Sequence, residues 1–285
     1  MEVVESIERI RERVLQLRAQ GRRVGLVPTM GALHAGHLSL IEASRRECTA
    51  TVATIFVNPA QFGPSEDFSR YPRTIDQDLA ELRQAGADLV FVPRSEEIYP
   101  PGFSTFVEPS SVAAPWEGSC RPGHFRGVAT VVLKLFQILP AHLGFFGQKD
   151  FQQALVIRRM VADLNLPIAI RVCPIVREAD GLALSSRNRY LSQDDRHRAT
   201  AISRGLRAAR NRFLAGEARA ELLRETVLSE LRQSGITQPE YVAVADAETL
   251  AEVTEATAAT VILVAARVGQ TRLIDNLVLG DSNDA

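Results

Sequence analysis

Between residues 22 and 176 the chain alternates short apolar, β-branched runs with longer runs of helical period, and this alternation leaves few folds open. "RRVGLVPT" reads as a buried strand, "GHLSLIEASRREC" as a helix and "TATVATIFVN" as a second strand, together one βαβ unit. The pattern continues through helix "TIDQDLAELRQAGA", strand "DLVFVP", helix "GVATVVLKLFQIL", strand "HLGFFG", helix "DFQQALVIRRMVADLN" and strand "IAIRVCPIV". Strands that alternate with amphipathic helices predict an α/β, doubly wound, mostly parallel, Rossmann-like sheet. In such sheets ligands bind beyond the carboxyl ends of the strands, which singles out the loops "PTMGALHAGH", "NPAQFGPSEDFSRYPR" and "GQKD".

The opening "MEVVESIERIRERVLQLRAQ" reads as one packed helix, with Ile7, Ile10, Val14 and Leu17 on a common face. It lacks the apolar core and small-residue cleavage site of a signal peptide, so a cytoplasmic location is expected. After Val176 the alternation stops. "READGLALSSRNRYLS" is loop-like, helices follow from about Asp194 to Gln233, and short strands lie around "YVAVAD", "VILVAARVG" and "LIDNLVL". The expected division is a Rossmann-like domain over 1–175 and a smaller α+β domain over 176–285. The tail "GDSNDA" is expected to fray.

A net charge of −1 offers no basic excess for nucleic-acid binding, and no apolar stretch is long enough to span a bilayer. Neither partner is expected. Cys48, Cys120 and Cys173 are widely spaced, form no C-x-x-C pair, and read as small core residues.

Two of the five histidines, His34 and His37, stand three residues apart in "VPTMGALHAGHLSLIEAS". Zinc would need a third or fourth ligand, and no cysteine or carboxylate stands at a useful spacing. A dinucleotide loop would need G-x-G-x-x-G, which Gly25, Gly31 and Gly36 do not supply. A phosphate site at a helix N-terminus fits better, because open backbone N–H groups and the positive end of the helix dipole would face the anion. Gly31 and Gly36 would let the backbone approach it closely, and the two imidazoles would add donors.

His34-Ala35-Gly36-His37 matches the H-x-G-H signature of the nucleotidylyltransferase superfamily. "PTMGALHAGHLSLI", "IFVNPAQFGPSEDFSRYPRT", "RPGHFRGVATVVLKLF", "FFGQKDFQQ" and "VREADGLALSSRNRYLS" resemble, in order and spacing, the blocks of the pantothenate synthetase (pantoate–β-alanine ligase) family over essentially the whole chain. The resemblance implies that pantoate and ATP give pantoyl adenylate and pyrophosphate, after which β-alanine displaces AMP. It also implies Mg²⁺ carried with ATP, held mostly by phosphate oxygens and water with no protein metal cage, and a homodimer. His37 matches the family's proposed proton donor, with His34 and Lys149 as its catalytic companions. ATP is expected against Met30, Gly31, Ala32, Leu33, His34, Ala35, Gly36 and His37. Further ATP contacts are expected from Gly147, Gln148, Lys149 and Asp150, and from Val176, Leu184, Ser185, Ser186 and Arg187. Gln61 and Gln153 match pantoate-binding positions, with Gln61 also near β-alanine.

The residues themselves fit that chemistry. Asn58 and Gln61 can hydrogen-bond a small hydroxy acid without adding charge. Lys134 and Lys149 are the only lysines among 33 basic residues. A compact ammonium at Lys149, where a strand ends and a helix opens, could clamp developing phosphate charge. Asp150 could cap the helix, assist in ATP or metal binding, or both. Ser185, Ser186 and Arg187 offer hydroxyl and guanidinium donors to phosphate. Gly63 to Arg73 resembles a lid in composition. Arg121, His124 and Arg126 could hold an anion or form an ordinary surface, and His142 and His197 receive no role. Two rival functions stay open: a nucleotidylyltransferase that releases its nucleotide conjugate, and a nucleotide-binding regulator without catalysis.

Overall fold

The computed structural model describes residues 1–64 and 66–281; Ser65, inside the lid-like segment, and 282–285, the end of the tail, lie outside the described residues. The described chain divides into two compact units. The first comprises Met1–Ala114, Arg121–Gly147 and Gln152–Cys173; the second comprises Pro115–Cys120, Gln148–Phe151 and Pro174–Ala285.

The first unit begins with β1 (Glu2–Val4), α1 (Ile7–Ala19), β2 (Val24–Thr29), α2 (Ala35–Glu47) and β3 (Ala50–Ile55). It continues through α3 (Ile75–Ala85), β4 (Leu89–Phe91) and α4 (Ser95–Ile98). After α5 (Glu117–Cys120), which belongs to the second unit, come α6 (His124–Ile138), β5 (Leu143–Gly147), α7 (Phe151–Asp163) and β6 (Ala169–Cys173). The six strands form one sheet in the order β1-β4-β3-β2-β5-β6, and every pairing is parallel. Helices cover both faces. Ile10, Val14 and Leu17 of α1, Val128, Val131, Val132 and Leu135 of α6 and Ile157 of α7 share one core cluster; Leu40 and Ile41 of α2 and Leu82 of α3 share another with Val27, Ala53 and Phe145. Burial from both sides explains why β3 is buried at every position and reads as an apolar run.

The strand order reverses at β2: β3 and β4 lie on one side of it, β5 and β6 on the other. β2 pairs with β5 only at Gly25 and Leu26, so past Leu26 the two strands part, at the point where the strand order reverses and where sheets of this kind bind their ligands. Pro28, which has no N–H to give, lies beyond that parting. His142 serves the ladder at its other end, where its Nδ1 accepts from Val24 N at 2.9 Å.

The opening segment departs from the expected single helix. Ser6 caps α1 by accepting from Arg9 N at 3.3 Å, and the residues before it form β1, paired to β4 from Glu2↔Leu89 to Val4↔Phe91. The cysteines depart as well. Cys48 is buried, but Cys173 is half-buried and Cys120, at the end of α5, is exposed; all three are free thiols.

The second unit packs α8 (Gln193–Leu214) and α9 (Ala220–Gln233) with an antiparallel sheet of β7 (Tyr241–Asp246), β8 (Thr260–Val268) and β9 (Thr271–Val278). Its core includes Ile202 and Leu206 of α8, Val227 of α9 and Ile262 of β8. Residues Pro115–Cys120 belong to this unit because Glu117 accepts a bidentate pair of bonds from Arg272, at 2.7 and 2.8 Å, and Trp116 Nε1 donates to Leu250 O at 3.1 Å.

One close approach in the first unit can be tested directly. A Cβ on Gly127, in α6, would come within 2.1 Å of the Ala60 carbonyl oxygen and 2.7 Å of Gln61 Cα. Gly127→Ala is therefore expected to lower the thermal unfolding midpoint, with a loss of about 1–3 kcal/mol typical of overpacking. A parent-like midpoint would show that the 59–61 turn yields at no cost.

Candidate active site

The H-x-G-H stretch sits at the carboxyl end of β2, on the first turn of α2. His34 is the N-cap, in extended conformation, and its Nδ1 accepts from Gly36 N at 3.2 Å. An imidazole nitrogen that accepts carries no proton, so the neutral ring bears its hydrogen on Nε2. His37 lies one turn on, its ring centroid 4.1 Å from that of His34.

The loop ahead of the cap is held by a residue whose role the sequence pattern did not disclose. Asp78 of α3 is 1% exposed, and its carboxylate accepts from Ala32 N at 3.0 Å and Leu33 N at 2.8 Å. Thr74 Oγ1 donates to both of its oxygens at 3.2 Å. The turn it closes uses left-handed backbone at Gly31, φ 80°, and at Ala32, φ 50°. Glycine is needed at the first, where a Cβ would also stand 2.9 Å from Asp78 Oδ2. Ala32 adopts an unfavourable conformation that its bond to Asp78 offsets.

These contacts correct the expectation of open backbone donors. Gly31 N donates to Thr29 Oγ1, Ala32 N and Leu33 N to Asp78, Gly36 N to His34 and His37 N to the His34 carbonyl. These five N–H groups are spent within the protein, which leaves the positive end of the α2 dipole and the two imidazoles as the features of this turn that favour negative charge.

A chain of neutral polar groups lies in the same unit. Tyr99 Oη donates to Asn58 Oδ1 at 2.8 Å, Asn58 Nδ2 donates to Gln61 Oε1 at 2.9 Å, and Gln61 Nε2 donates to Met30 Sδ at 3.3 Å. Asn58 and Gln61 are both buried, and burial pushes the Tyr99 hydroxyl's pKa up, so it remains a donor. Lys134 stands over the rings of Tyr99 and Phe103, 5.6 and 4.4 Å from their centroids, which gives the second lysine a packing role. The Arg121–His124 cluster is wired inward. His124 is buried, with Nδ1 2.9 Å from the Gln61 carbonyl and Nε2 3.1 Å from Arg121, while Arg121 makes a bidentate pair with Glu66 at 2.8 and 2.7 Å. Glu66 thereby ties down the described part of the lid-like segment. On α7, Gln152 is buried and donates to Val112 O at 2.9 Å, whereas the neighbouring Gln153 is half-buried.

In the second unit, Gln148–Asp150 form a 3-10 turn just after β5. The Lys149 side chain is 21% exposed, with Nζ 3.8 Å from Asp150 Oδ1, so it is not the solvated surface lysine that composition alone would favour. Val176 and Leu184 are brought together, Leu184 N donating to the Val176 carbonyl at 3.0 Å beside a bridge between Arg177 and Ala183. Ser185 then caps a 3-10 turn by accepting from Arg187 N at 3.3 Å. Glu178 braces this segment, accepting from Arg196 at 2.6 Å and Asn188 at 2.9 Å. The Arg196 guanidinium holds its carboxyl below the usual carboxylate range.

The model of the family described as "Pantoate-beta-alanine ligase" matches residues 2–278. A pantothenate synthetase of Roseiflexus castenholzii is 55% identical over 256 residues, 90% of this chain and 92% of the relative. One from Herpetosiphon aurantiacus is 51% identical over 280 residues, 98% of this chain and 100% of the relative. Among solved structures, the pantothenate synthetase of Thermus thermophilus superimposes with a TM-score of 0.94 at 44% identity, covering 99% of this chain and 100% of that one. The pantoate-beta-alanine ligase of Francisella tularensis, complexed with beta-gamma ATP and beta-alanine, gives a TM-score of 0.80 at 33% identity and covers 99% of each chain.

Asp78→Asn tests the anchor of the loop. It would turn an NH₂ group toward a backbone N–H that now donates to carboxylate. The expected result is a loss of about 1–3 kcal/mol in denaturant unfolding and faster hydrogen exchange at Ala32 and Leu33. Unchanged stability with unchanged exchange at both amides would remove Asp78 as the anchor.

Proposed function

The chain belongs to the pantoate–β-alanine ligase family, and from that premise we infer that it joins pantoate to β-alanine at the expense of ATP. The pantoate carboxylate attacks the α-phosphorus of ATP, forming pantoyl adenylate and releasing pyrophosphate. The β-alanine amine then attacks the acyl carbon, giving pantothenate and AMP. The observation that carries the reading is the H-x-G-H loop at the start of α2, beside the parting of β2 and β5, within a family match that spans residues 2–278.

On this reading the Nε2–H of His34 and the imidazole of His37 would donate to phosphate oxygens as charge builds on the leaving pyrophosphate. His37 would be the principal donor. Met30 to Leu33, with Ala35 and Gly36, would line the nucleotide. Lys149 would clamp the phosphates, supported by its limited exposure, and Gly147, Gln148 and Asp150 would complete that contact. Ser185, Ser186 and Arg187 would bind phosphate oxygens, with Val176 and Leu184 against the nucleotide. Gln61, Asn58 and Gln153 would hold pantoate; the neutral chain from Tyr99 to Met30 suits a hydroxy acid whose carboxylate must stay reactive. Excluding water there would protect the mixed anhydride.

Mg²⁺ would travel with ATP and supply a counter-charge to its phosphates. The residues present fit that mode, since the Asp150 carboxylate beside Lys149 is 48% exposed and can meet an ion through water. Among the described residues no group of three or more His, Cys, Asp or Glu could hold an ion alone, and magnesium, which keeps several waters, does not require one. Among the described residues no helix is long and apolar enough to cross a membrane. A homodimer in the cytoplasm completes the proposal.

Incubation with ATP, pantoate and β-alanine is expected to give AMP and amide in equal amounts. Accumulation of a nucleotide conjugate without AMP, or ATP binding without pyrophosphate release on adding pantoate, would overturn the reading. His37→Ala is expected to slow adenylation by roughly 10²–10³-fold, as loss of one transition-state donor does, while ATP affinity changes little. Near-parent turnover would take the phosphate role away from this histidine.

A further inference from the structure

Two adjacent polar residues on β9, Asp275 and Asn276, are 4% and 1% exposed. Neighbouring strand residues project to opposite faces, so a strand that buries both must find polar partners on each. Those partners lie in the two segments of the second unit assigned to ATP.

Asn276 Nδ2 donates to the Gln148 carbonyl at 2.9 Å and to the Lys149 carbonyl at 3.0 Å. One amide nitrogen thus spends its two hydrogens on two consecutive peptide groups, which sets the plane of each and the direction in which Lys149 leaves the backbone. Asp275 accepts from Arg177 at 2.7 and 3.1 Å, a bidentate pair with only 17% of the arginine side chain exposed. Arg177 also donates to the Gly181 carbonyl at 3.3 Å and faces Ala183 across the bridge that leads into Leu184 and Ser185. The Asn276 backbone N–H donates to Asp275 Oδ1 at 2.8 Å, which couples the two grips.

We propose that Asn276 is a positioning residue for the adenylation step: it orients the Gln148–Lys149 turn, and with Asp275 it keeps that turn in register with the Val176–Arg187 segment. The proposal rests on Lys149 meeting the ATP phosphates. Lysine is a flexible point charge on a four-carbon stem, so its placement depends on where its backbone is held. Alanine cannot bridge two carbonyls, and aspartate would set a carboxylate against them. Asparagine is the short side chain that offers two hydrogens from one nitrogen.

The experiment is a cycle of four proteins: parent, Asn276→Ala, Lys149→Ala and the double variant. Each is followed by pre-steady-state pyrophosphate release at saturating ATP and pantoate, with KM for pantoate and thermal unfolding measured alongside. Asn276→Ala is expected to slow release by roughly 10–100-fold, as misplacement of a reacting group does, with KM for pantoate unchanged. Because it acts through Lys149, the double variant is expected to be no slower than Lys149→Ala alone. Parent-like release by Asn276→Ala, or an equal fold-loss with and without Lys149, would overturn the positioning role while leaving the function of Lys149 intact. Parent-like release by Lys149→Ala would instead overturn the phosphate role of the lysine, and the proposal with it. If Asn276→Ala does not fold, Asn276→Ser makes the same comparison with one donor hydrogen in place of two.

Discussion

The grip of a buried carboxylate on two successive backbone amides underlies the proposed chemistry of the first unit. Asp78 receives the N–H groups of Ala32 and Leu33, and nearly all its remaining capacity goes to Thr74. A buried anion is tolerated only when it is satisfied in this way, and satisfying it forces the chain through the left-handed pair Gly31 and Ala32. The chain leaves that turn aimed so that His34 can cap α2, and the cap in turn selects the tautomer of its imidazole. Packing of α3 against the sheet thus reaches a single N–H on a histidine through three residues.

The two units provide anchors of the same logic with different chemistry. In the first, a carboxylate holds a loop through its amides. In the second, the Asn276 amide holds a turn through its carbonyls. In both, the anchoring group is buried and comes from far along the chain, while the residues it steadies are short-range neighbours of one another. The groups proposed to meet pantoate follow another rule. Asn58 and Gln61, joined to each other and to Tyr99 by hydrogen bonds, carry no charge, so on that proposal they would orient a hydroxy acid without competing for its carboxylate.

What the sequence made legible was what is contiguous in it. The strand–helix alternation announced the parallel sheet because strands buried on both faces are apolar throughout, as β3 is. H-x-G-H and "GQKD" could be singled out because each is four consecutive residues. β1 escaped notice because three residues before a serine cap are too few to establish a period against the helix that follows. Asp78, Tyr99, Glu66 and Asn276 escaped for another reason: each is an ordinary polar residue within a helical, loop or strand pattern, and its partners lie tens of residues away or more. The spacing of Asp78 in "TIDQDLAELRQAGA" offered one signal, an acidic residue on the face that α3 buries with Leu82. The supposed nest of open amides was misread because sequence shows which N–H groups exist, not which are already used.

The central claim is that pantoate is activated by ATP before any amine takes part. The measurement that addresses it most directly is exchange of labelled pyrophosphate into ATP with β-alanine left out. Exchange that requires pantoate and proceeds without β-alanine is the predicted result. Amide formation at a normal rate, with no exchange in the presence of pantoate, would contradict a free-standing adenylate and the account built on it.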